Sequence, residues 1–500
     1  MTEQITIKVN GIPIKTQAGL SLSEITKGEK PCGGHGLCGK CKVIAKGELS
    51  PITEREKSLL SAEQLSEGFR LACLTFALGN CEIVTPDGEK GSQIVTEGAL
   101  PAIEIDPIFK EYGVSIDIGT TTLAARLYKS DGTLVSSTSM LNPQQEWGAD
   151  VISRVESALN GKGKELASSI RAALSGIITE LAFSADIDPK NIDGVVITGN
   201  TIMLSLLTET SPEPFSHAPF EAKRLFGETL SAAELKVRVL KKDTKIYVAP
   251  CISAFVGADT VCALLATELC SKDTAMLADI GTNGEIALWH NGKLTVCSTA
   301  AGPAFEGVGI SMGMRGAAGA IDKVTLINGK LEPHVIGNVP PAGICGSGLI
   351  DAVACLLDNE TIDETGYFEE ESTLIKAPVS ITRQDIRMLQ LAKSAIKAGV
   401  MTLLHNQGLS EADISSLYIA GGFGNYLNKR NAARIGLLPK TLAARSLSAG
   451  NAALSGASMI LLNSASKTKA EAIAKVANVT ELATDPFFSE EYVAGMLFEG

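Results

Sequence analysis

Apolar and polar residues alternate from the start of the chain. ITIKV and IPIKT are two strand-like runs joined at Asn10-Gly11, the strongest short signal for a β-hairpin. A short helix is expected from about Ser21. CKVIAKGEL then reads as a strand, and LACLTFAL and CEIVTP as closing strands. Residues 89–112 carry Gly, Pro and charge without a clear period and are expected to form a linker, which as a flexible coil would span about 25–30 Å. The first unit is therefore expected over residues 1–88.

From Gly113 the pattern changes and an internal repeat emerges. GVSIDIGTTTLAARLYKSDGTLVSST returns in outline as AMLADIGTNGEIALWHNGKLTVCST: an apolar strand, Asp-Ile-Gly-Thr, a second strand, a polar turn with Gly132 or Gly292, and a third strand. That spacing, Asp117 to Asp279, is too long for a solenoid and predicts two related lobes. Each lobe later ends a strand in a glycine turn opening into a helix, DGVVITGNTIMLSLL in the first and SLYIAGGFGNYLN in the second. Helical spacing of apolar residues marks Gly163 to Leu181, DIRMLQLAKSAIKAGVMTLLHN and NAALSGASMILLNSA. The expectation is two α/β lobes facing a cleft, one over 113–262 and one over 263–500.

Five hundred residues exceed what one core accommodates. A net charge of −12 excludes nucleic-acid binding through phosphate neutralisation and disfavours anionic membranes. No uninterrupted apolar run reaches the ~18 residues that cross a bilayer, and the N-terminus lacks the pattern of a secretory signal. A soluble, cytoplasmic protein is expected. Cys81, Cys251, Cys262, Cys270, Cys297, Cys345 and Cys355 are irregularly spaced, mostly in apolar segments where free cysteine behaves as a small hydrophobe, consistent with a reducing compartment.

The other four cysteines carry chemistry. Cys32, Cys38 and Cys41 share the glycine-rich loop PCGGHGLCGKC, and Cys73 follows after 31 intervening residues. C-x5-C-x2-C with one distant partner is a layout that wraps thiolates around a [2Fe–2S] cluster. Its spacing is similar to adrenodoxin-type ferredoxins, and residues 1–88 resemble the β-grasp fold of [2Fe–2S] ferredoxins. A structural zinc site is the alternative, although zinc frameworks usually arrive as two short pairs. His35 within the loop is expected to adjust the cluster by hydrogen bonding rather than to ligate it.

Asp followed by Gly-Thr at a strand tip suits a nucleotide. The carboxylate can hold Mg²⁺ through its water shell, the glycine lets phosphate approach, and Thr hydroxyls and turn N–H groups donate to phosphate oxygens. Asp117 with Gly119, Thr120 and Thr121, and Asp279 with Gly281, Thr282 and Asn283, form such tips at matching places in the repeat. Gly421-Gly422-Phe423-Gly424 follows a later strand. Asp117–Thr121, Asp279–Glu285 and Gly421–Asn425 in turn resemble the phosphate 1, phosphate 2 and adenosine motifs of the ASKHA superfamily of sugar kinases, acetate kinase, actin and heat-shock chaperones.

Nearly the whole chain resembles a narrower family, the ATP-dependent reductive activators of corrinoid proteins, in NPQQEWGADVISRV, AAGPAFEGVGISMGMRGA, GICGSGLIDAV, QDIRMLQLAKSAIKAG and IAGGFGNYLN. The resemblance implies an α+β multidomain chain, with an N-terminal β-grasp [2Fe–2S] domain before a two-lobed ASKHA (actin-like, ribonuclease H-like) ATPase. It implies ATP as substrate and a corrinoid protein of a methyltransferase system as partner, with a cellular electron donor. The middle domain found in some members is expected to be missing, because the linker runs directly into the first phosphate motif.

Asp259 stands where sugar kinases of this superfamily keep a catalytic Asp, and is expected either to orient the attacking water or to cap a helix. Gly346 and Ser347 open a helix, and either approach the nucleotide or cap that helix. Gly302 to Glu306 either lines the cleft or makes a simple proline turn; Trp147 and Trp289 read as packing residues.

Joining a ferredoxin to an ATPase has a physical motive. A one-electron step against a gap of 100–200 mV costs roughly 2.5–5 kcal/mol, which ATP turnover offsets. Reduction of an inactive corrinoid from Co(II) to the strongly reducing Co(I) makes that demand. The competing readings are a redox-sensing, nucleotide-dependent adaptor, an activator of another metalloenzyme, and a small-molecule kinase.

Overall fold

The alternation in QITIKV and IPIKTQ folds as two antiparallel strands, β1 (Gln4–Val9) and β2 (Ile12–Gln17), paired from Gln4↔Gln17 to Val9↔Ile12. The structure, a computed structural model, describes residues 4–9, 12–26, 36, 39, 41–84, 100–422 and 424–498; the expected Asn10-Gly11 turn lies outside them. The helices α1 (Leu22–Thr26) and α2 (Glu54–Leu59) accompany β3 (Lys42–Leu49), β4 (Phe69–Leu71) and β5 (Ala77–Val84). The five strands form one sheet in the order β2-β1-β5-β3-β4. β5 alternates strictly between buried and exposed, and Ile7, Leu22, Val43, Leu71 and Ile83 fill the core beneath. LACLTFAL is not one strand: only Leu71 belongs to β4, and a turn follows that places Cys73 on a loop.

The chain gathers into two compact units: Met1–Gly91 with Glu306–Ile362 and Tyr367–Ile386, and Ser92–Phe305 with Asp363–Gly366 and Arg387–Gly500. Most of residues 306–386, expected within the second lobe, therefore belongs to the first unit.

The second unit holds the repeat. β6 (Tyr112–Ile118), β7 (Thr122–Lys129) and β8 (Leu134–Leu141) make an antiparallel meander. β9 (Ile192–Gly199), β10 (Glu228–Ser231) and β11 (Lys245–Val248) complete a sheet ordered β10-β11-β9-β6-β7-β8. The second copy begins with β12 (Thr274–Ile280), β13 (Gly284–His290) and β14 (Lys293–Thr299). In the first unit, β15 (Ala320–Ile327), β16 (Lys330–Val335) and β17 (Gly343–Ile344) form a small sheet, and β18 (Ser372–Lys376) and β19 (Val379–Thr382) a hairpin. β20 (Ser416–Ala420), β21 (Ser446–Gly450) and β22 (Ala477–Val479) then finish the second lobe's sheet, ordered β21-β20-β12-β13-β14-β22. In both copies a parallel strand lies beside the first strand of the meander, β9 on β6 and β20 on β12.

Helices α3 (Val151–Ser157), α4 (Gly163–Ser184), α5 (Thr201–Leu207) and α6 (Ala258–Ala266) belong to the first lobe. The stretch Val151–Ser184 is apolar and long enough to cross a membrane, yet Leu166, Ile170, Leu174, Ile177 and Leu181 are buried in the lobe's core. α7 (Gly346–Asp358) packs on β15, and α8 (Arg383–Asn406) covers the expected helix beginning DIRMLQ.

NAALSGASMILLNSA becomes α9 (Ala452–Leu462) and the start of α10 (Ser464–Val476). Every residue of α9 is buried. Although α9 follows β21 of the second sheet, it packs on β6, β9 and α6 of the first lobe. The approach is backbone to backbone: a Cβ on Gly456 would sit 2.0 Å from the Cys262 carbonyl oxygen, so only glycine fits.

The described part of the expected linker, residues 100–112, is fastened rather than loose. Phe109 is buried, Leu100, Ile103 and Ile108 pack on the same core, and the Asp106 and Ile108 N–H groups donate to the Leu462 and Leu461 carbonyls (2.9 and 3.0 Å). Composition conceals this, because the pairing uses backbone groups.

Candidate functional site

The pairing of β3 with β4 builds the thiol site. Lys42 stands opposite Leu71, and the Ala72 N–H donates to the Cys41 carbonyl (2.7 Å), which brings the residue before β3 beside the loop after β4. The Sγ atoms of Cys41 and Cys73 lie 3.1 Å apart. Two thiolates on one tetrahedral metal ion stand about 3.7 Å apart at metal–sulfur distances near 2.3 Å, so a small opening of this pair fits a shared iron. Cys32, Cys38 and His35 lie outside the described residues.

Two adjacent side chains of α2 hold the two cysteine-bearing loops. The Arg55 Nε donates to the Gly36 carbonyl (2.9 Å) in the first. Glu56, fully buried, organises the second by accepting from the Leu71 N–H (3.2 Å) and the Thr75 hydroxyl (2.9 Å), while Arg70 donates to it from Nε (3.0 Å) and Nη2 (3.2 Å). Burial by itself would raise the Glu56 pKa, but the Arg70, Thr53, Leu71 and Thr75 donors outweigh it and hold the carboxyl at about 2.

In the second unit the duplicated hairpins deliver the acids to one place. Asp117 near the end of β6, Asp279 near the end of β12 and Asp259 in the first turn of α6 are all half-buried and in electrostatic contact. Burial, then the charges of Asp259 and Asp279, push Asp117 up to about 8 against the donation of Asn451 Nδ2 to its Oδ2 (3.1 Å). Burial and Asp259 push Asp279 up to about 7, and burial raises Asp259 to about 6. Asp259 is not the N-cap of α6, a place taken by Gly257; its Oδ1 accepts from the Thr260 N–H (2.8 Å).

The two tips have diverged. Register sets Asp117 opposite Ala124 but Asp279 opposite Glu285, a fourth acid, itself buried, whose pKa is raised well above normal by burial and by Asp259 and Asp279. The first tip is braced by NPQQEWGADVISRV: Asn142 Nδ2 donates to the Gly119 carbonyl (2.9 Å), Arg154 Nη2 to that of Thr120 (2.6 Å), and Gln145 Nε2 to that of Thr121 (3.0 Å). The second tip is one residue shorter, and the Gly281 N–H closes on the Asn283 carbonyl (3.0 Å), with Thr282 buried beside them.

Gly421 (φ +99°) lies against the second tip, since a Cβ there would fall 2.4 Å from the Ile280 carbonyl and 3.1 Å from Asp279 Oδ1; Gly422 faces open space, and Phe423 lies outside the described residues. Gly346 and Ser347 belong to the other unit, where Cys345 occupies the N-cap position and the Ser347 hydroxyl donates to the Asp322 carbonyl (2.9 Å), anchoring α7 to β15. Pro303–Glu306 makes a short turn. Trp147 and Trp289 pack on the core as expected, with Trp289 Nε1 donating to the Lys272 carbonyl (2.9 Å). Asn451 and Arg154 are residues that sequence reasoning left without a role, and Glu285 entered it only as the last residue of the second phosphate motif. Glu285 and Arg154 stand inside motifs already quoted, but only strand register and long-range packing show what they touch.

Comparison with known proteins agrees with this architecture. The sequence model of a 2Fe-2S iron-sulfur cluster binding domain matches residues 13–78, that of the RACo middle region matches 112–272, and that of the C-terminal domain of RACo, the ASKHA domain, matches 273–500. The middle region is therefore not missing, because its model falls on the first lobe. The chain is 38% identical over 420 residues to the corrinoid activation enzyme RamQ of Eubacterium limosum, covering 77% of this chain and 70% of that protein. It is 26% identical over 422 residues to the Co(II) methylated amine-specific corrinoid protein reductase of Methanosarcina barkeri, covering 77% of each. A solved structure, a reductive activator for corrinoid, iron-sulfur protein, matches with a TM-score of 0.74 and 26% identity, over 99% of this chain and 98% of that one.

Proposed function

This chain belongs to the family of reductive activators of corrinoid proteins, and from that premise we propose that it hydrolyses ATP to drive the one-electron reduction of a corrinoid protein from Co(II) to Co(I). The observation that carries the reading is the presence, in one chain, of a ferredoxin-type thiol site and a duplicated acidic nucleotide cleft.

Cys32, Cys38, Cys41 and Cys73 would hold the [2Fe–2S] cluster, and Cys41 and Cys73 already bring their sulfurs together. Bound there, the cluster supplies one-electron storage. The chain's own contribution is to keep the thiolates in place through Arg55 and Glu56 on α2.

At the nucleotide, Asp117, Asp279 and Glu285 would hold Mg²⁺, whose charge would offset the burial and mutual repulsion that raise their pKa values. Thr120 and Thr121, on a loop whose carbonyls are turned to the protein, present N–H and hydroxyl groups to phosphate, and Thr282 and Asn283 do so from the other side, on a turn that Gly281 closes. Gly119 admits the phosphate chain, and Gly421, Gly422 and Phe423 border the adenosine. Asp259 orients the attacking water and accepts its proton. Coupling follows if the ATP-bound and product states differ in affinity for the corrinoid protein. A cellular reductant supplies the electron. Among the described residues no cysteine is disulfide-bonded, which supports a cytoplasmic location.

The test mixes anaerobic protein, reductant and a Co(II) corrinoid protein. The Co(I) absorption band is expected to grow only with MgATP, and equal rates with and without ATP would overturn the reading. Net phosphorylation of a metabolite would point to a kinase instead.

A further inference from the structure

We infer that Asn451 is a positioning residue that ties the nucleotide site to the segment carrying the ferredoxin, with α9 as the strut between them. This rests on the reading that nucleotide and Mg²⁺ bind at Asp117.

The chain passes from one lobe's sheet to the other at two residues. β21 ends at Gly450 (φ +58°), whose carbonyl accepts the N–H of Gly421 in the adenosine-side turn (3.2 Å). Asn451 follows, with Nδ2 on Asp117 Oδ2 (3.1 Å) and Oδ1 accepting the Leu454 N–H (2.7 Å). One side chain thus caps α9 and holds the phosphate-side carboxylate.

The body of α9, about 16 Å long, is buried throughout. Ser458 and Ser115 share a hydrogen bond (2.8 Å), Arg126 Nη1 donates to Ser455 (3.4 Å), and Gly456 lies against the Cys262 carbonyl. A helix packed this closely transmits a displacement rather than absorbing it, because interiors have little free volume.

At its far end the last carbonyls, without partners inside any helix, are taken by the chain that leads back to the ferredoxin. Asp106 N–H donates to the Leu462 carbonyl and Ile108 N–H to that of Leu461 (2.9 and 3.0 Å), Ser464 N–H returns to the Asp106 carbonyl (2.9 Å), and Asn463 Nδ2 donates to the Glu104 carbonyl (2.8 Å). Engagement of Asp117 by Mg²⁺-nucleotide changes what Asn451 can donate to. That difference between states is what a shift at residues 104–108 requires.

The experiment is amide hydrogen exchange at Asp106 and Ile108 in the full-length cluster-loaded protein, with and without Mg²⁺ and a non-hydrolysable ATP analogue, alongside measured analogue binding. Saturation is expected to change both exchange rates at least threefold, and Asn451→Ala and Asn451→Ser to abolish the change. Serine keeps an oxygen that caps the helix, adds no charge and is too short to reach Asp117, so its loss separates coupling from helix stability. Bound analogue with unchanged exchange in the unaltered protein, or a full response in Asn451→Ser, would overturn the strut while leaving the nucleotide site intact; no analogue binding at all would overturn both. Asn463→Ala provides a second reading at the far end. ATP hydrolysis is expected within twofold of normal and the ATP consumed per Co(I) formed to rise several-fold, whereas an unchanged ratio would overturn the proposal.

Discussion

Glu56, fully buried, and Asp117, half-buried, are both carboxylates drawn away from water, and the fold treats them in opposite ways. Glu56 is surrounded by donors, with Arg70, Leu71, Thr53 and Thr75 all directed at its two oxygens, and its pKa falls to about 2. Asp117 accepts from Asn451 and otherwise faces Asp259 and Asp279, and its pKa climbs to about 8. A buried charge with its donors in place completes a structural site; buried acids facing one another make a site completed by a cation. The thiol end therefore comes with its support already built, whereas the nucleotide end gains its support from its ligand.

The sharpest test of that contrast is to remove each acid. Glu56→Ala leaves Arg70 buried without its counter-charge and is expected to destabilise the ferredoxin part by about 3–5 kcal/mol, read as earlier melting and faster iron release with ATP hydrolysis intact. Asp117→Asn and Asp279→Asn are expected to lower ATP hydrolysis on the order of 100-fold or more, yet to raise the melting temperature of the ligand-free protein by removing repulsion. Destabilisation by either Asn variant would break the comparison.

The second test is pH. Glu56 has a folded pKa below its unfolded value of 4.5, so its stabilisation is present above about 4.5 and is lost as pH falls toward 2. Asp259, Asp279 and Asp117 have folded values of about 6, 7 and 8, above 3.8, so the stability they favour is complete below about 3.8 and declines as pH rises through those values. Differential scanning calorimetry of the ligand-free protein should show the ATPase transition falling between pH 5 and 8 by up to about 1.4 kcal/mol per pH unit per group, while the ferredoxin transition stays level.

Third, saturating Mg²⁺-nucleotide should flatten that slope and stabilise the ATPase by about 2.7 kcal/mol at a hundred times Kd. The smallest effect is expected from Glu285→Gln. Burial and the neighbouring Asp259 and Asp279 already disfavour its charge, so an uncharged amide should hardly change stability, while the Mg²⁺ concentration for half-maximal ATP hydrolysis rises about 3–10-fold.

What was legible in the sequence is what chemistry writes locally. Four cysteines at ferredoxin spacing, two Asp-Ile-Gly-Thr tips and a glycine turn after a strand identified both ends, and a repeat of alternating strands gave the two sheets. What was hidden is what depends on folding. Glu285 lies opposite Asp279 only through a three-residue tip, and Asn451 meets Asp117 across 334 positions of chain. Arg154 stands in a quoted stretch with nothing in the sequence to place its side chain, yet it is buried with its guanidinium on the Thr120 carbonyl of the first tip. Asp259 was balanced between cap and catalyst until Gly257 proved to hold the cap position. The linker misled because Pro, Gly and charge signal looseness, whereas hydrogen bonds to the end of α9 are independent of side-chain type.

That last attachment sets a ruler. With Glu104 fixed on the helix end, the chain back to Val84 at the end of β5 extends at most about 70 Å whatever path it takes. The segment leading from that anchor towards β5 thus starts at a fixed point that its own composition does not move.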